Sequence, residues 1–147
     1  MKAKSPPKSD KNRGKTRAPK SGVRKRAEEK LRESEQRYRT LITQSPIGIY
    51  ETDANGRCLF VNPRWSEIGG LSLEEALGGG WTSAIHADDR ERVSSEWNRT
   101  AATGESFDME YRFRTPQGVV TWVHGLASAV RNEQGEISHF IAVKQDI

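Results

Sequence analysis

The chain has 147 residues, of which 33% are hydrophobic and 30% are charged, so it has room for one domain with a modest core plus a tail. No apolar run approaches the roughly 18 residues that a membrane helix needs, and no apolar block follows the basic start, so we expect neither a membrane span nor a secretory signal. The single cysteine, Cys58, excludes an intrachain disulfide and favours a reducing, cytoplasmic setting.

The net charge of +4 combines two segments of opposite sign. Residues 1–26 contain eleven Lys and Arg and one acidic residue, a charge of +10, whereas residues 27–147 carry 13 basic and 19 acidic residues, a charge of −6. Residues 1–23 predict a disordered basic tail, because such a segment cannot bury enough apolar surface to offset chain entropy. A solvated tail is the simpler interpretation. Binding of nucleic acid or anionic lipid is the alternative, although no aromatic residue is present there for base stacking.

Residues 24–45 show the spacing of an amphipathic helix, which Pro46 ends. The seam covers fewer than three heptads, so it fits either a dimerising, signal-carrying helix or a helix that packs on its own domain. Small and apolar residues recur every three or four positions along it: Ala27, Leu31, Ser34, Tyr38, Leu41 and Ser45.

A hairpin and two short helices are predicted next. The segments IGIYETD and RCLFVN flank the turn ANG and predict two antiparallel strands. Asn62 before Pro63 predicts the start of a short helix, and Ser72 with Glu75 forms a capping box that begins another. The triple glycine at 78–80 is not followed by the Lys-Ser/Thr pair of a phosphate loop, so we interpret it as a flexible connector.

The segment HADDRERV combines a His, two Asp and two Arg, a mixture that could bind a metal or support acid–base chemistry. Val93 and Trp97, four residues apart, predict a helix that begins close to this segment. With His86 as its N-cap, Asp88 and Asp89 occupy the first turn, where free amides and the helix dipole favour acidic residues. The remaining His and Cys residues show no ligand spacing. Helix capping is therefore the favoured interpretation, and no metal site or catalytic residue is predicted.

Three strands complete the chain: SFDMEYRFR, VVTWVHGLASAV and EISHFIAVKQDI, joined by the loops TPQG and NEQG. The first strand alternates apolar and charged residues, so one of its faces is buried. The other two are apolar on both faces, which predicts that both sides of the sheet's centre are covered. The short helices would cover one side, and the N-terminal helix or a second copy of the chain would cover the other.

This order of elements resembles a PAS domain, of the sensory-box type with a PAC motif found in bacterial histidine kinases and diguanylate cyclases. The resemblance implies an α+β fold over residues 46–147, with a five-stranded antiparallel sheet in the order 2-1-5-4-3, helices on one face and an N-terminal amphipathic helix. The motifs that carry it span Glu35 to Ile147 and include D-x-x-G, VNPRW, SLEEALG, HADDRERV, G-E-x-F-x-x-E-Y-R-F-R-x-P-x-G and V-R-N-E-x-G-E.

The resemblance also implies a cavity between the sheet and the helices. Either a small-molecule ligand occupies this space or the side chains fill it themselves, since the aromatic residues supply much volume. The cavity lining implied by the family is Tyr50, Thr52, Cys58, Phe60, Trp65, Trp81, Trp97, Met109, Tyr111, Phe113, Val123, Gly125, Ala127, Phe140 and Ala142.

Residue identity disfavours two cofactor types of the family, and the identity of any cofactor stays open. Flavin-binding light sensors carry a reactive Cys at the position that matches Trp81, so a covalent flavin adduct is not expected. One haem-binding branch places its axial His at the position that matches Val93. We interpret Cys58 as a buried packing residue and not as a nucleophile.

The resulting hypothesis is a cytoplasmic, non-catalytic sensory and dimerisation module that transmits a ligand or partner signal through helix–sheet packing. Its expected partners are a second copy of the chain and an effector domain or partner protein. The alternatives are a regulatory fragment of a histidine kinase or diguanylate cyclase, and a nucleic-acid or membrane tether acting through the basic tail. The expected interface joins the helix to the outer sheet face: Leu31, Tyr38, Leu41, Ile47, Ile49, Leu59, Val61, Trp122, His124, Leu126, Ile141 and Val143.

Overall fold

The computed structural model describes residue 3 and residues 18–147, with side chains from residue 22 onward. The chain divides into two compact units, Met1–Thr40 and Leu41–Ile147. Helix α1 spans Ala18–Gln44. It begins earlier than the predicted start at residue 24, because Pro19 is well suited to a first helical turn, and it ends before Pro46 as predicted. Most of the basic tail predicted for residues 1–23 lies outside the described residues.

The second unit contains a five-stranded antiparallel sheet in the spatial order β2-β1-β5-β4-β3, which confirms the predicted fold. This order places the last strand at the centre, so β5 pairs with both β1 and β4. The strands are β1 (Gly48–Asp53), β2 (Cys58–Val61), β3 (Phe107–Arg114), β4 (Val120–Arg131) and β5 (Ile137–Asp146).

The two short helices of this unit begin at the predicted signals. The Asn62 side chain accepts a hydrogen bond from the backbone of Trp65 at the start of α2, and Ser72 and Glu75 form the reciprocal capping box of α3. Gly104 ends α4 with a φ of 75°, a left-handed conformation that glycine adopts without strain. The elements are α2 (Pro63–Gly69), α3 (Leu73–Ala76), two 3-10 turns (Gly80–Ala84 and Ala87–Asp89) and α4 (Arg90–Thr103).

A β-bulge in the first hairpin changes which side chains of β2 face the helices. Val61 pairs with Tyr50 and Phe60 with Glu51, and the irregularity then leaves Leu59 as the extra residue. Val61 is therefore buried beside Tyr50, whereas Phe60 lies on the opposite face. The sequence prediction, which placed Phe60 in the cavity and Val61 on the outer face, was wrong here because one extra residue reverses the alternation.

Both edge strands of the sheet make isolated bridges to the connecting segments. Cys58 of β2 bridges Gly78, with backbone hydrogen bonds of 2.8 and 2.9 Å in the two directions. At the other edge, Ile85 bridges Phe113 of β3. These contacts tie the segment between α3 and α4 to both ends of the sheet and enclose a core between the sheet and the helices.

A buried asparagine fixes the entry into this unit. Asn62 Oδ1 accepts hydrogen bonds from the backbone nitrogens of Ile49 (2.8 Å) and Trp65 (3.0 Å). Its Nδ2 donates to the carbonyl oxygens of Ile42 (2.8 Å) and Ile47 (3.0 Å). All four hydrogen bonds available to the amide are made, so one side chain holds the last turn of α1, β1 and α2 together. Within the described part of the chain, no helix has the length and apolar character needed to cross a bilayer.

Candidate functional site

The space between the sheet and the helices is an aromatic chamber. Trp97 lies at its centre, with its ring centroid 5.2 Å from that of Phe107 and 5.4 Å from that of Phe140. Trp81 meets Trp97 edge to face at 6.0 Å and lies 5.8 Å from Tyr50, arrangements that aromatic quadrupoles favour. The chamber residues, each at most 6% exposed, are Tyr50, Trp65, Trp81, Trp97, Phe107, Tyr111, Phe113 and Phe140.

A lysine side chain points into this chamber. Lys144 of β5 is 0% exposed, and its cross-strand neighbours are Gly48 on β1 and Gly125 on β4. Since neither neighbour carries a side chain, aromatic rings from more distant positions surround the lysine. Its Nζ lies 4.2 to 6.0 Å from the centroids of five rings: Phe113, Tyr50, Tyr111, Trp81 and Trp65.

The amine of Lys144 is buried without a hydrogen bond. Its Nζ has no hydrogen-bond partner in the protein. Burial lowers the pKa of Lys144 well below its ordinary value, because desolvation disfavours the charged form. Attraction to the ring faces offsets part of this cost, since a desolvated cation–π contact contributes about 2 kcal/mol. The lysine is therefore surrounded by aromatic rings, and among residues 18–147 no carboxylate forms an ion pair with it.

Four other buried polar atoms of the core also lack a hydrogen-bond partner: the indole nitrogens of Trp65 and Trp97 and the hydroxyls of Thr100 and Tyr111. Indole nitrogens can only donate, and the Lys144 amine carries donor hydrogens in either protonation state. Burial raises the pKa of Tyr111 well above its usual value, so its hydroxyl keeps its proton and is also available as a donor. The interior thus contains a surplus of hydrogen-bond donors.

A surface cavity of about 240 Å³ opens beside the chamber. The indole of Trp81 borders it and also lies 5.4 Å, at its centroid, from Lys144 Nζ. Trp81 Nε1 donates to the Gly56 carbonyl at 3.2 Å, which holds the ring against the first hairpin turn. A larger cavity of about 290 Å³ beside Arg90 and Arg114 contains none of the unpartnered atoms. The smaller cavity is lined by Asn55, Gly56, Arg57, Gly79, Trp81, Thr82, Ser94, Trp97, Asn98 and Ala101.

The opposite face of the sheet carries exposed apolar side chains. Trp122 is 49% exposed and Leu126 is 41% exposed. His124 lies between them on β4, with its Nε2 2.6 Å from Asp108 Oδ1 of β3. Four further predicted interface residues of the second unit are partly buried: Ile47, Ile49, Ile141 and Val143.

Arg112 at the edge of the sheet connects this outer face to the start of α4. Its guanidinium carbon lies 5.3 Å from the centroid of the Trp122 ring, while its Nε and Nη2 donate to the Asp89 carboxylate at 2.9 and 2.8 Å. Asp89 also accepts from the Arg112 backbone nitrogen at 2.8 Å. The hydrogen bonds from Arg112 lower the pKa of Asp89 to about 2.

Comparison with known proteins gives the same fold and identifies the family. The family described as the PAS fold matches residues 58–144.

The chain belongs to the PAS family.

Two curated relatives and one solved structure illustrate the match. The uncharacterised protein y4lL of Sinorhizobium fredii is 36% identical over 121 residues, which cover 82% of this chain and 14% of that protein. The peroxide stress-activated histidine kinase mak1 of Schizosaccharomyces pombe is 31% identical over 113 residues, which cover 71% of this chain and 7% of that protein. The PAS domain of an HTR-like protein from Haloarcula marismortui superposes with a TM-score of 0.66 at 25% identity, covering 84% of this chain and 99% of that one. The chain thus spans a small part of these curated relatives.

The structure brings together nearly all residues predicted to line the PAS cavity. The exception is Phe60, which the bulge turns outward. Their role in binding a ligand stays a prediction. Those that are buried, or that pack against the buried core in the case of Met109, are Tyr50, Thr52, Cys58, Trp65, Trp81, Trp97, Met109, Tyr111, Phe113, Val123, Gly125, Ala127, Phe140 and Ala142.

Sequence reasoning missed Lys144, the most unusual residue of the PAS chamber. The run of apolar residues in β5 ends at Val143, and lysine is almost never fully buried. The two-residue alternation of β5 does indicate that this lysine faces inward, because Phe140, Ala142 and Lys144 occupy one face of a strand that extends to Asp146.

The HADDRERV segment contributes capping and a long-range ion pair. His86 Nδ1 accepts from the Asp88 backbone nitrogen at 3.1 Å, so His86 caps the 3-10 turn Ala87–Asp89. The prediction that it caps the long helix was wrong, because α4 begins only at Arg90. Asp89 was assigned to the helix dipole, but its carboxylate pairs with Arg112, 23 residues away, a partner that local spacing does not indicate. Among residues 3 and 18–147, no group of three or more His, Cys, Asp or Glu side chains is arranged to hold a metal ion.

The residues matched to cofactor positions of the family are both buried. Trp81 borders the cavity and Val93 packs in α4. The expectation against a covalent flavin adduct and a mid-helix haem ligand rests on these identities and stays a prediction. Burial raises the pKa of Cys58, and its thiol lies 3.6 Å from the Phe60 carbonyl as a weak donor, features of a packing residue and not of an activated nucleophile.

Proposed function

We propose that this chain is the sensory and dimerisation module of a larger signalling protein. The observation that carries the proposal is the apolar outer face of the sheet, where Trp122 and Leu126 are exposed although their strand, β4, is paired on both sides. A contiguous exposed apolar patch on a folded domain marks an interaction surface. The match to a sensory family and to a histidine kinase supports the signalling role.

The proposed partner on this surface is a second copy of the chain. Helix α1 also exposes apolar side chains at heptad spacing, including Leu31 and Leu41, and such a seam pairs with its own copy in a two-fold dimer. The proposed interface comprises Leu31, Tyr38, Leu41, Ile47, Ile49, Trp122, His124, Leu126, Ile141 and Val143.

The aromatic chamber is the proposed sensing site, and Asn62 is the proposed link from it to α1. Trp65 of α2 contributes a ring to the chamber, and its backbone nitrogen donates to Asn62. The same side chain donates to the Ile42 carbonyl in the last turn of α1. A ligand that shifts Trp65 would therefore disturb the hydrogen bonds that fix the end of α1, which gives the signal a physical route to the helix.

The module itself is proposed to be non-catalytic, with catalysis in a separate effector. A histidine kinase is the proposed effector, because mak1 matches this chain over a small part of its length. A sensory module of this kind changes effector activity by changing the packing of its helix and sheet.

The oligomeric state tests the proposal. Native mass spectrometry and sedimentation velocity of the wild-type chain are expected to report a dimer. L126E, which places a charge in the proposed interface, is expected to be monomeric. L77E is the matched control, because Leu77 follows α3, is 42% exposed and is not one of the proposed interface residues, and it is expected to remain dimeric. A monomeric wild type, or equal behaviour of the two variants, would overturn the proposed interface.

A further inference from the structure

We propose that Lys144 is the anchor of a small organic carboxylate, which enters the chamber from the cavity beside Trp81. The inference rests on the proposed sensory function and names the ligand class of that site.

The composition of the chamber defines the ligand class. Lys144 Nζ and the hydroxyl of Tyr111 are fully buried and have no hydrogen-bond partner. Both are donors to a ligand oxygen, and one of them becomes a cation when protonated. A carboxylate supplies two acceptor oxygens and the missing negative charge. Charge-assisted hydrogen bonds of this kind are about twice as strong as neutral ones.

The two donors lie in the same part of the chamber. Nζ is 4.9 Å from the centroid of the Tyr111 ring. The Tyr111 hydroxyl lies over Gly125, 3.0 Å from where a Cβ would stand on that glycine, and Gly125 is the cross-strand neighbour of Lys144. A side chain at position 125 would displace the hydroxyl, so the glycine keeps the two donors adjacent.

Other ligand classes fit this chamber less well. A cationic ligand would compete with Lys144 for the ring faces and would accept no hydrogen bond from the unpartnered donors. A purely apolar ligand would leave the buried Lys144 amine without a hydrogen-bond partner, and an unsatisfied buried polar group is costly. The unpartnered donors, one of which becomes a cation when protonated, therefore favour an anion with an apolar body.

The cavity of about 240 Å³ provides the route. Its lining residues include Arg57, Asn55 and Asn98, whose cationic and amide side chains suit the attraction of an anion. Trp81 separates the cavity from Lys144 and follows the glycines at 78–80, of which Gly78 has a φ of 64°. Rotation of the indole, with loss of its hydrogen bond to Gly56, would open the chamber to the cavity. The aromatic walls suit a carboxylate with a short aliphatic or aromatic body.

The test is a thermal-shift and calorimetric screen of the wild-type chain with sodium formate, acetate, propionate, benzoate and phenylacetate, against sodium chloride at equal ionic strength. At least one carboxylate is expected to raise the melting temperature by about 5 °C at concentrations well above its Kd. K144M is expected to fold and to lose this response completely. K30M, which removes an exposed lysine of α1, is the matched control and is expected to keep it.

A second measurement needs no variant. In wild-type chain with ¹⁵N-labelled lysine, the Lys144 side-chain resonance is expected to shift during titration with the carboxylate selected by the screen, while the exposed lysines respond as they do to chloride. Two results would overturn the inference: no carboxylate moves either the melting temperature or this resonance, or K144M responds as the wild type does. Neither result affects the dimer test with L126E, so failure of the ligand class and failure of the proposed module are distinguishable.

Discussion

The two faces of the central sheet are incomplete in opposite ways. The inner face buries its aromatic side chains fully but encloses donors that have no acceptor, with Lys144 at their centre. The outer face makes its polar contacts, such as His124 with Asp108, but leaves Trp122 and Leu126 exposed. The inner face therefore favours a small polar ligand, and the outer face favours a large apolar partner. A single sheet thus presents two different kinds of binding surface.

The two surfaces meet on one strand. In β5, Val143 faces outward and Lys144 faces inward, because successive side chains of a strand alternate between faces. Anything that changes the position of Lys144 therefore acts on the backbone that also presents the outer face. The contrast can be tested by paired substitutions on the two sides.

The largest expected effect is the loss of an inner aromatic ring. F140A removes a fully buried ring that contacts Trp97 and is expected to lower the free energy of unfolding by about 3–5 kcal/mol, the usual cost of a cavity of this size. V143A, on the outer side of the same strand, is the paired control. Urea denaturation measures both, and similar losses would contradict the assignment of faces.

Removal of the carboxylate that links the sheet edge to α4 is expected to lower the free energy of unfolding by less than F140A does. D89N leaves Arg112 with a weaker partner and is expected to lower the free energy of unfolding by about 2–3 kcal/mol at neutral pH. D88N changes the exposed neighbour and serves as the control.

The same pair predicts a pH dependence. The pKa of Asp89 is held at about 2 in the folded chain and is about 3.9 when unfolded, so the unfolded state binds more protons between these values. The stabilisation is thus complete above roughly pH 5 and is lost as the pH falls towards 2. The stability difference between wild type and D89N is expected to shrink over this range, and a constant difference would contradict the ion pair.

Substitution of the buried lysine is expected to stabilise the chain. K144M replaces a desolvated amine by an apolar side chain of similar length, and we expect a gain of about 1–2 kcal/mol at pH 7. Because the folded pKa of Lys144 is lowered, the unfolded state binds more protons up to about pH 10.4, and wild-type stability rises with pH in this window. The advantage of K144M should therefore diminish between pH 7 and pH 10. Urea denaturation at several pH values measures this stability difference. A loss of stability in K144M would contradict the absence of a hydrogen-bond partner for the Lys144 amine.

The smallest effect on folding is expected on the outer face. L126A is expected to change the free energy of unfolding of the dissociated chain by less than about 0.5 kcal/mol, since exposed positions contribute little. Its dimer dissociation constant is nevertheless expected to rise, which sedimentation equilibrium can measure. A large loss of intrinsic stability with unchanged dimerisation would reverse the proposed roles of the two faces.

The parts of the fold that depend on the local spacing of apolar and capping residues were predictable from the sequence. The strands, the caps at Asn62 and Ser72 and the end of α4 at Gly104 each depend on residues close in the chain. The faces on which Phe60 and Val61 lie were not predictable from the sequence, because a bulge adds one residue without changing the apolar pattern. The Asp89–Arg112 pair and the aromatic surroundings of Lys144 depend on strand pairing over long distances, which no local pattern specifies.

The bridges from Cys58 to Gly78 and from Phe113 to Ile85 have a consequence for self-assembly. An open sheet edge is a template on which further strands can add, and natural proteins protect it with short edge strands or covering segments. Here the edge strand β2 has four residues, and both edges form backbone bridges to the connector between α3 and α4. Growth by strand addition is thereby obstructed at both ends of the sheet, and we expect concentrated solutions of the chain to contain finite oligomers instead of cross-β fibres.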